Sequence, residues 1–101
     1  MELRRCPRIP FQCSISILGD QIVGQGTISN LSVGGCKIQS NANVYIGTQL
    51  GLRVFLPDHG SPMDVSQATV RWLIGREFGV EFTRMEPEAQ QRLSLFVHTL
   101  L

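Results

Sequence analysis

The feature that most constrains this chain is strict alternation over short runs. In "FQCSISI", Phe11, Cys13, Ile15 and Ile17 fall on one side, and Gln12, Ser14 and Ser16 on the other. A period of two is the mark of a strand with one face buried. The pattern returns in "QLGLRVFLP", where Leu50, Leu52, Val54 and Leu56 share a face. It returns again in "VSQATVRWLI", which sets Ala68, Val70, Trp72 and Ile74 together, and in "FGVEF", which sets Phe78, Val80 and Phe82 together. "IVGQGTIS" and "GCKIQS" add two shorter segments. Between the segments stand turn signals: Gly19-Asp20, "PDHGSP" and Gly75-Arg76. About six short strands separated by turns make a small antiparallel barrel or sandwich.

The C-terminal stretch breaks the period. "PEAQQRLSLFVHTLL" opens with Pro87 and Glu88, residues suited to a helix start. Ala89, Leu93, Phe96, Val97 and Leu100 then recur at steps of three and four. This is an amphipathic helix that needs a surface to cover. A chain of 101 residues, 43% apolar, has room for one domain with one core. The expected division is an arginine-bearing arm over 1–8, a β-barrel over 9–84 and a helix over 87–101, all within one domain, 1–101.

Composition excludes several functions. No apolar run reaches the roughly 18 residues that cross a bilayer, so no membrane insertion is expected. The N-terminus carries charge without an apolar segment behind it, which is not a signal peptide and points to a cytoplasmic protein. Cys6, Cys13 and Cys36 form no C-x-x-C, and His59 and His98 lie far apart, so neither a metal cofactor nor a disulfide is expected. No Ser-His-Asp order or paired-carboxylate site stands out, so an enzyme is not expected. Residues 1–8 hold Arg4, Arg5 and Arg8 against Glu2, while the remainder holds six basic and seven acidic groups. A nearly neutral body with one basic end is unlike a DNA or RNA binder, which carries a broad basic face. It suits a small anionic ligand or a solvated tail.

Antiparallel pairing links the basic end to a second unusual stretch, "ISNLSVGG". If the first two strands turn at Gly19-Asp20, paired residue numbers sum to about 39, and Arg8 and Ile9 face Asn30 and Leu31, give or take a residue or two. One edge then gathers Arg4, Arg5 and Arg8 with Asn30, Ser32, Gly34 and Gly35. Arginine offers a planar fork for phosphate oxygens or for the O6/N7 edge of guanine. Asn and Ser offer short donors and acceptors. The glycines allow unusual backbone angles and close approach to main-chain N–H groups. Guanine plus phosphate is the chemistry that this set fits best.

On these residues the chain resembles the PilZ domain family, bacterial receptors for cyclic di-GMP. The family's R-x-x-x-R corresponds to "RRCPR", with Arg4 and Arg8 in the paired positions, and its [D/N]-x-S-x-x-G to "NLSVGG", with Asn30, Ser32 and Gly35. "ATVRW" and "FGVEF" look like the family's closing strands. Each motif alone is weak; their order and hairpin relation make the pair specific. The resemblance implies a mostly β fold, a six-stranded antiparallel β-barrel with a C-terminal α-helix. It implies that Arg4 and Arg8 contact phosphate and guanine, that Asn30 and Ser32 contact a base, and that Gly35 serves backbone approach. Arg5, Gly34 and Trp72 are lesser candidates. In some relatives an aromatic at the place of Trp72 stacks on guanine, but here Trp72 shares its strand face with Val70 and Ile74, which equally suits the core.

The function so implied is a cyclic di-GMP receptor without enzymatic activity. The arm, expected to be mobile without ligand, would fold over the nucleotide, and the complex would signal to an unidentified protein partner or through self-association. The alternative is a PilZ-like interaction scaffold that binds no nucleotide. Intact motifs argue against it.

Overall fold

The computed structural model describes residues 9–19, 22–58 and 60–100. Six strands form: β1 (Ile9–Leu18), β2 (Val23–Leu31), β3 (Gly35–Ser40), β4 (Gln49–Phe55), β5 (Met63–Ile74) and β6 (Glu77–Arg84). One helix, α1 (Pro87–Leu100), follows. The strands close into a barrel in the order β1-β2-β3-β6-β5-β4, and every pairing is antiparallel. Closure removes exposed sheet edges, which otherwise invite association. The expected mostly β barrel with a C-terminal helix is therefore the fold observed.

The alternating residues fill the barrel. Ile15 and Ile17 of β1 are buried, as are Leu50, Leu52 and Val54 of β4 and Leu56 just beyond it. Each such side chain contributes about 1.5–3 kcal/mol by leaving water. The turning face of α1 adds to the same core: Leu93 and Val97 are buried, and Ala89 and Phe96 pack against it half-buried. Arg92 of α1 donates from Nε and Nη2 to the Asp58 carboxylate, at 3.1 and 2.7 Å, tying the helix to the β4–β5 connection.

Two details of register differ from expectation. Pairing of β1 with β2 stops at Leu18–Val23, so the connection holds four residues, with the Gly19 N–H donating to the Ile22 carbonyl at 2.6 Å. The two-residue turn at Gly19-Asp20 is not what forms; Asp20 itself lies outside the described residues. Farther along, a bulge between Pro10 and Cys13 takes up one residue of β1, and Ile9 faces Leu31, within the residue or two allowed for the expected register. Local alternation carries no record of such an extra residue, because the pattern on either side of it is intact.

The second difference moves a candidate residue. β5 bulges between Val70 and Trp72: Val70 pairs with Val80, and Trp72 pairs with Gly79. The extra residue, Arg71, carries the strand through half a pleat. Val70 stays in the core, whereas Trp72 leaves it and Ile74 is exposed.

Candidate functional site

The loop between β2 and β3 is built around one hydroxyl. Ser32 Oγ donates to the Gly35 carbonyl at 3.2 Å and accepts the N–H groups of Gly34 and Gly35 at 3.2 and 3.1 Å. The Ser32 N–H also donates to the Gly35 carbonyl at 2.9 Å. One donor and two acceptor sites are all that a serine hydroxyl has. Ser32 is therefore saturated within its own loop, and it is buried. The two main-chain N–H groups that the glycines were expected to offer a ligand are bonded to it.

The glycines of the loop differ. Neither has a positive φ, so unusual backbone angles are not what they supply. A Cβ on Gly35 would collide with the Val80 carbonyl oxygen, because β3 runs very close to β6 there. Space, then, is what position 35 requires. Gly34 has nothing near a would-be Cβ and is exposed. Its carbonyl accepts the Phe82 N–H at 2.9 Å, which fixes the loop to the end of β6.

Beside this loop lies a cavity of about 360 Å³ lined by Ser32, Gly34, Arg71, Trp72, Gly79, Val80 and Glu81. Three separate stretches converge on it: the β2–β3 loop, the bulge of β5 and the middle of β6. Trp72 is its wall. Phe78 and Val80 point into the core, so a side chain at 79 would point outward. The Trp72 indole occupies that outward space: a Cβ on residue 79 would overlap its Nε1 and Cε2. Trp72 is thus outside the core, half-exposed, with only a glycine beneath it. Of the two readings that alternation left open, the core one does not hold: Trp72 is not among the buried residues of the barrel.

Asn30 does not line this cavity, but it stands on the same transverse row. Asn30 pairs with Lys37, Lys37 with Gly79, and Gly79 with Trp72. At about 4.8 Å between strands, the row from Asn30 to Trp72 spans roughly 14 Å. A bulge between Ile28 and Asn30 sets the position of Asn30 on it. Arg4, Arg5 and Arg8 lie outside the described residues.

Two ion pairs accompany the row. Arg71 donates from Nε to Glu81 Oε1 at 2.8 Å, and its Nη2 lies 2.6 Å from the same oxygen. Lys37 Nζ lies 3.3 Å from Glu77 Oε2. Arg71, Glu81 and Lys37 were not singled out by the sequence. The available signal was Gly79: a glycine inside a strand pattern marks close approach by another group.

No group of three or more His, Cys, Asp or Glu among the described residues could hold a metal. Burial pushes the Cys13 thiol up to about 11, and Cys36 is fully buried. The Cys13 thiol therefore stays protonated at neutral pH. No helix among the described residues is long and apolar enough to cross a membrane.

Known proteins share this architecture. The PilZ domain of CeSA from a cellulose-synthesizing bacterium superposes with a TM-score of 0.73 at 18% identity, covering 93% of this chain and 97% of that one. The PilZ domain of YcgR from Escherichia coli, solved with c-di-GMP, gives 0.67 at 16% identity, covering 98% and 92%. The Bacillus subtilis inhibitor of motility MotI/DgrA gives 0.80 at 18% identity, covering 98% of this chain but only 51%, about half, of that one. No curated protein matches the sequence. At these identities the likeness speaks for the fold. The sequence itself matches the PilZ domain family over residues 2–98, and the chain belongs to that family.

Proposed function

We propose that this chain is a receptor for cyclic di-GMP that binds the dinucleotide without transforming it, in the cytoplasm, and passes the signal to a protein partner. The observation that carries the reading is the outward-turned Trp72 beside the N-x-S-x-x-G loop, in a cavity of about 360 Å³. An indole with one face open to a cavity suits a stacked base, a contact worth roughly 1–3 kcal/mol. Family membership and the c-di-GMP-bound PilZ domain of YcgR support the same ligand.

Each residue then has a role. Arg4 and Arg8 contact phosphate and the guanine O6/N7 edge, where a guanidinium fork is well matched. Arg5 adds positive charge beside them. Asn30 contacts a base at the far end of the row. Ser32 first holds the loop; a base contact by its hydroxyl exchanges the bond to the Gly34 N–H. Gly34 leaves the cavity mouth open, and Gly35 lets β3 approach β6.

Calorimetric titration with cyclic di-GMP tests the proposal. The native chain should bind at micromolar ligand or tighter, and Arg4→Ala or Arg8→Ala should weaken binding by about tenfold or more. No heat with the native chain would end the receptor reading. Equal affinity in both variants would keep the receptor and remove the arginine contacts.

A further inference from the structure

The cavity contains a charged pair that neither signature motif includes. Arg71 is the extra residue of the β5 bulge, and Glu81 lies on β6 directly across from Gly35. Both line the cavity with Ser32, Gly34 and Trp72. Their geometry is lopsided: both Arg71 nitrogens reach Glu81 Oε1. Glu81 Oε2 accepts no hydrogen bond from the described residues. Among the described residues the pair therefore presents one acceptor and one guanidinium edge beyond its own contact, next to the Trp72 indole.

We propose that Arg71 and Glu81 read the edge of the base that stacks on Trp72, and that Glu81 makes the site prefer guanine over adenine. The inference rests on the cyclic di-GMP reading above. Guanine carries adjacent N1–H and N2–H donors, which a carboxylate accepts; adenine has an unprotonated N1 there and no 2-amino group. Among the described residues Glu81 is the only carboxylate lining this cavity. Asn30, at the motif's variable position, is uncharged. Arg71 orients the carboxylate and offers its free edge to O6 or to a phosphate oxygen. Bulges commonly re-aim side chains beside functional sites, and this one aims two consecutive residues, Arg71 and Trp72, at one cavity.

A second pair serves as the control. Arg53 and Asp64 form a comparable ion pair, Nε to Oδ1 at 2.9 Å and Nη2 to Oδ2 at 3.4 Å, with similar side-chain exposure, between β4 and β5 and away from the cavity. The test titrates native chain, Glu81→Gln, Arg71→Met and Arg53→Met with cyclic di-GMP and, separately, cyclic di-AMP. Thermal melts confirm that each variant is folded. Glu81→Gln should narrow the guanine preference by about tenfold, since a glutamine amide pairs well with adenine. Arg71→Met should weaken cyclic di-GMP binding by about tenfold, and Arg53→Met should leave both affinities within about twofold. A native chain that binds, with Glu81→Gln keeping native affinity and preference, overturns the proposal while leaving the receptor reading intact. A native chain that binds neither nucleotide overturns both.

Discussion

Two concave regions of the molecule invite a ligand, and the larger is the poorer candidate. The groove along α1, about 420 Å³, is lined by Asp58, Glu88, Gln91, Arg92, Leu95, Phe96 and Thr99. Almost all of it comes from one helix face. The one cation among its described lining residues, Arg92, is already held by two hydrogen bonds to Asp58, and Glu88 adds negative charge. An anionic ligand would have to break that pair in a locally acidic setting. The smaller cavity draws on the β2–β3 loop and on two stretches of the distant β5–β6 hairpin, has an aromatic wall, and includes a glycine of that loop. Volume ranks the two one way and chemistry the other. A site is made where separate segments bring complementary groups together, and only the fold does that.

The sharpest way to break this comparison is to remove one aromatic from each region. Trp72→Ala should cost about 1–3 kcal/mol of cyclic di-GMP affinity, or roughly five- to 150-fold, by calorimetry. Phe96→Ala should lower the melting temperature, because Phe96 packs against the core. It should leave affinity within about twofold. If Phe96→Ala abolishes binding in a folded chain while Trp72→Ala does not, the ranking of the two regions is reversed.

The smallest effect is expected at the Arg92–Asp58 pair. Hydrogen bonding from Arg92, foremost, holds the Asp58 carboxyl below its ordinary value, with the Gly60 N–H and the Arg92 charge adding to it against the opposing effect of desolvation. A carboxylate depressed in the folded state contributes stability above its unfolded value of about 4, and that contribution disappears as pH falls through the lower folded value. Melting curves between pH 7 and pH 2 should therefore show a steeper acid loss for the native chain than for Asp58→Asn. Cyclic di-GMP affinity at pH 7 should be the same for both. Identical acid profiles would remove the pair from the stability account.

Much of this was legible in the sequence, for a physical reason. Burial of one strand face is enforced residue by residue, so Ile15, Ile17, Leu50, Leu52 and Val54 announce the barrel by their spacing alone. The helix declares itself by the same logic at a different period, through Leu93 and Val97. The N-x-S-x-x-G loop was found because its residue types are fixed by local demands: the Ser32 hydroxyl has three bonds to satisfy within four residues, and Gly35 has no room for a Cβ. What escaped was everything set by bulges. An inserted residue leaves the alternation on both sides intact, so Trp72 reads as a partner of Val70 although it faces the opposite way. Arg71 and Glu81 escaped with it, since their meeting depends on the pairing of two strands across that bulge. The β1–β2 register shifted by a residue or two for another reason: the connection holds four residues where a two-residue turn was expected.

The central claim is that the nucleotide sits at the β2–β3 loop and Trp72, not along α1. Titration of the uniformly ¹⁵N-labelled chain with cyclic di-GMP, followed by two-dimensional NMR, tests it most directly. The indole Nε1–H of Trp72 and the amides of Gly34, Gly35 and Glu81 should shift on binding, while those of Leu95, Phe96 and Thr99 hold their positions. Shifts confined to the α1 residues, or none at saturating ligand, would contradict the account.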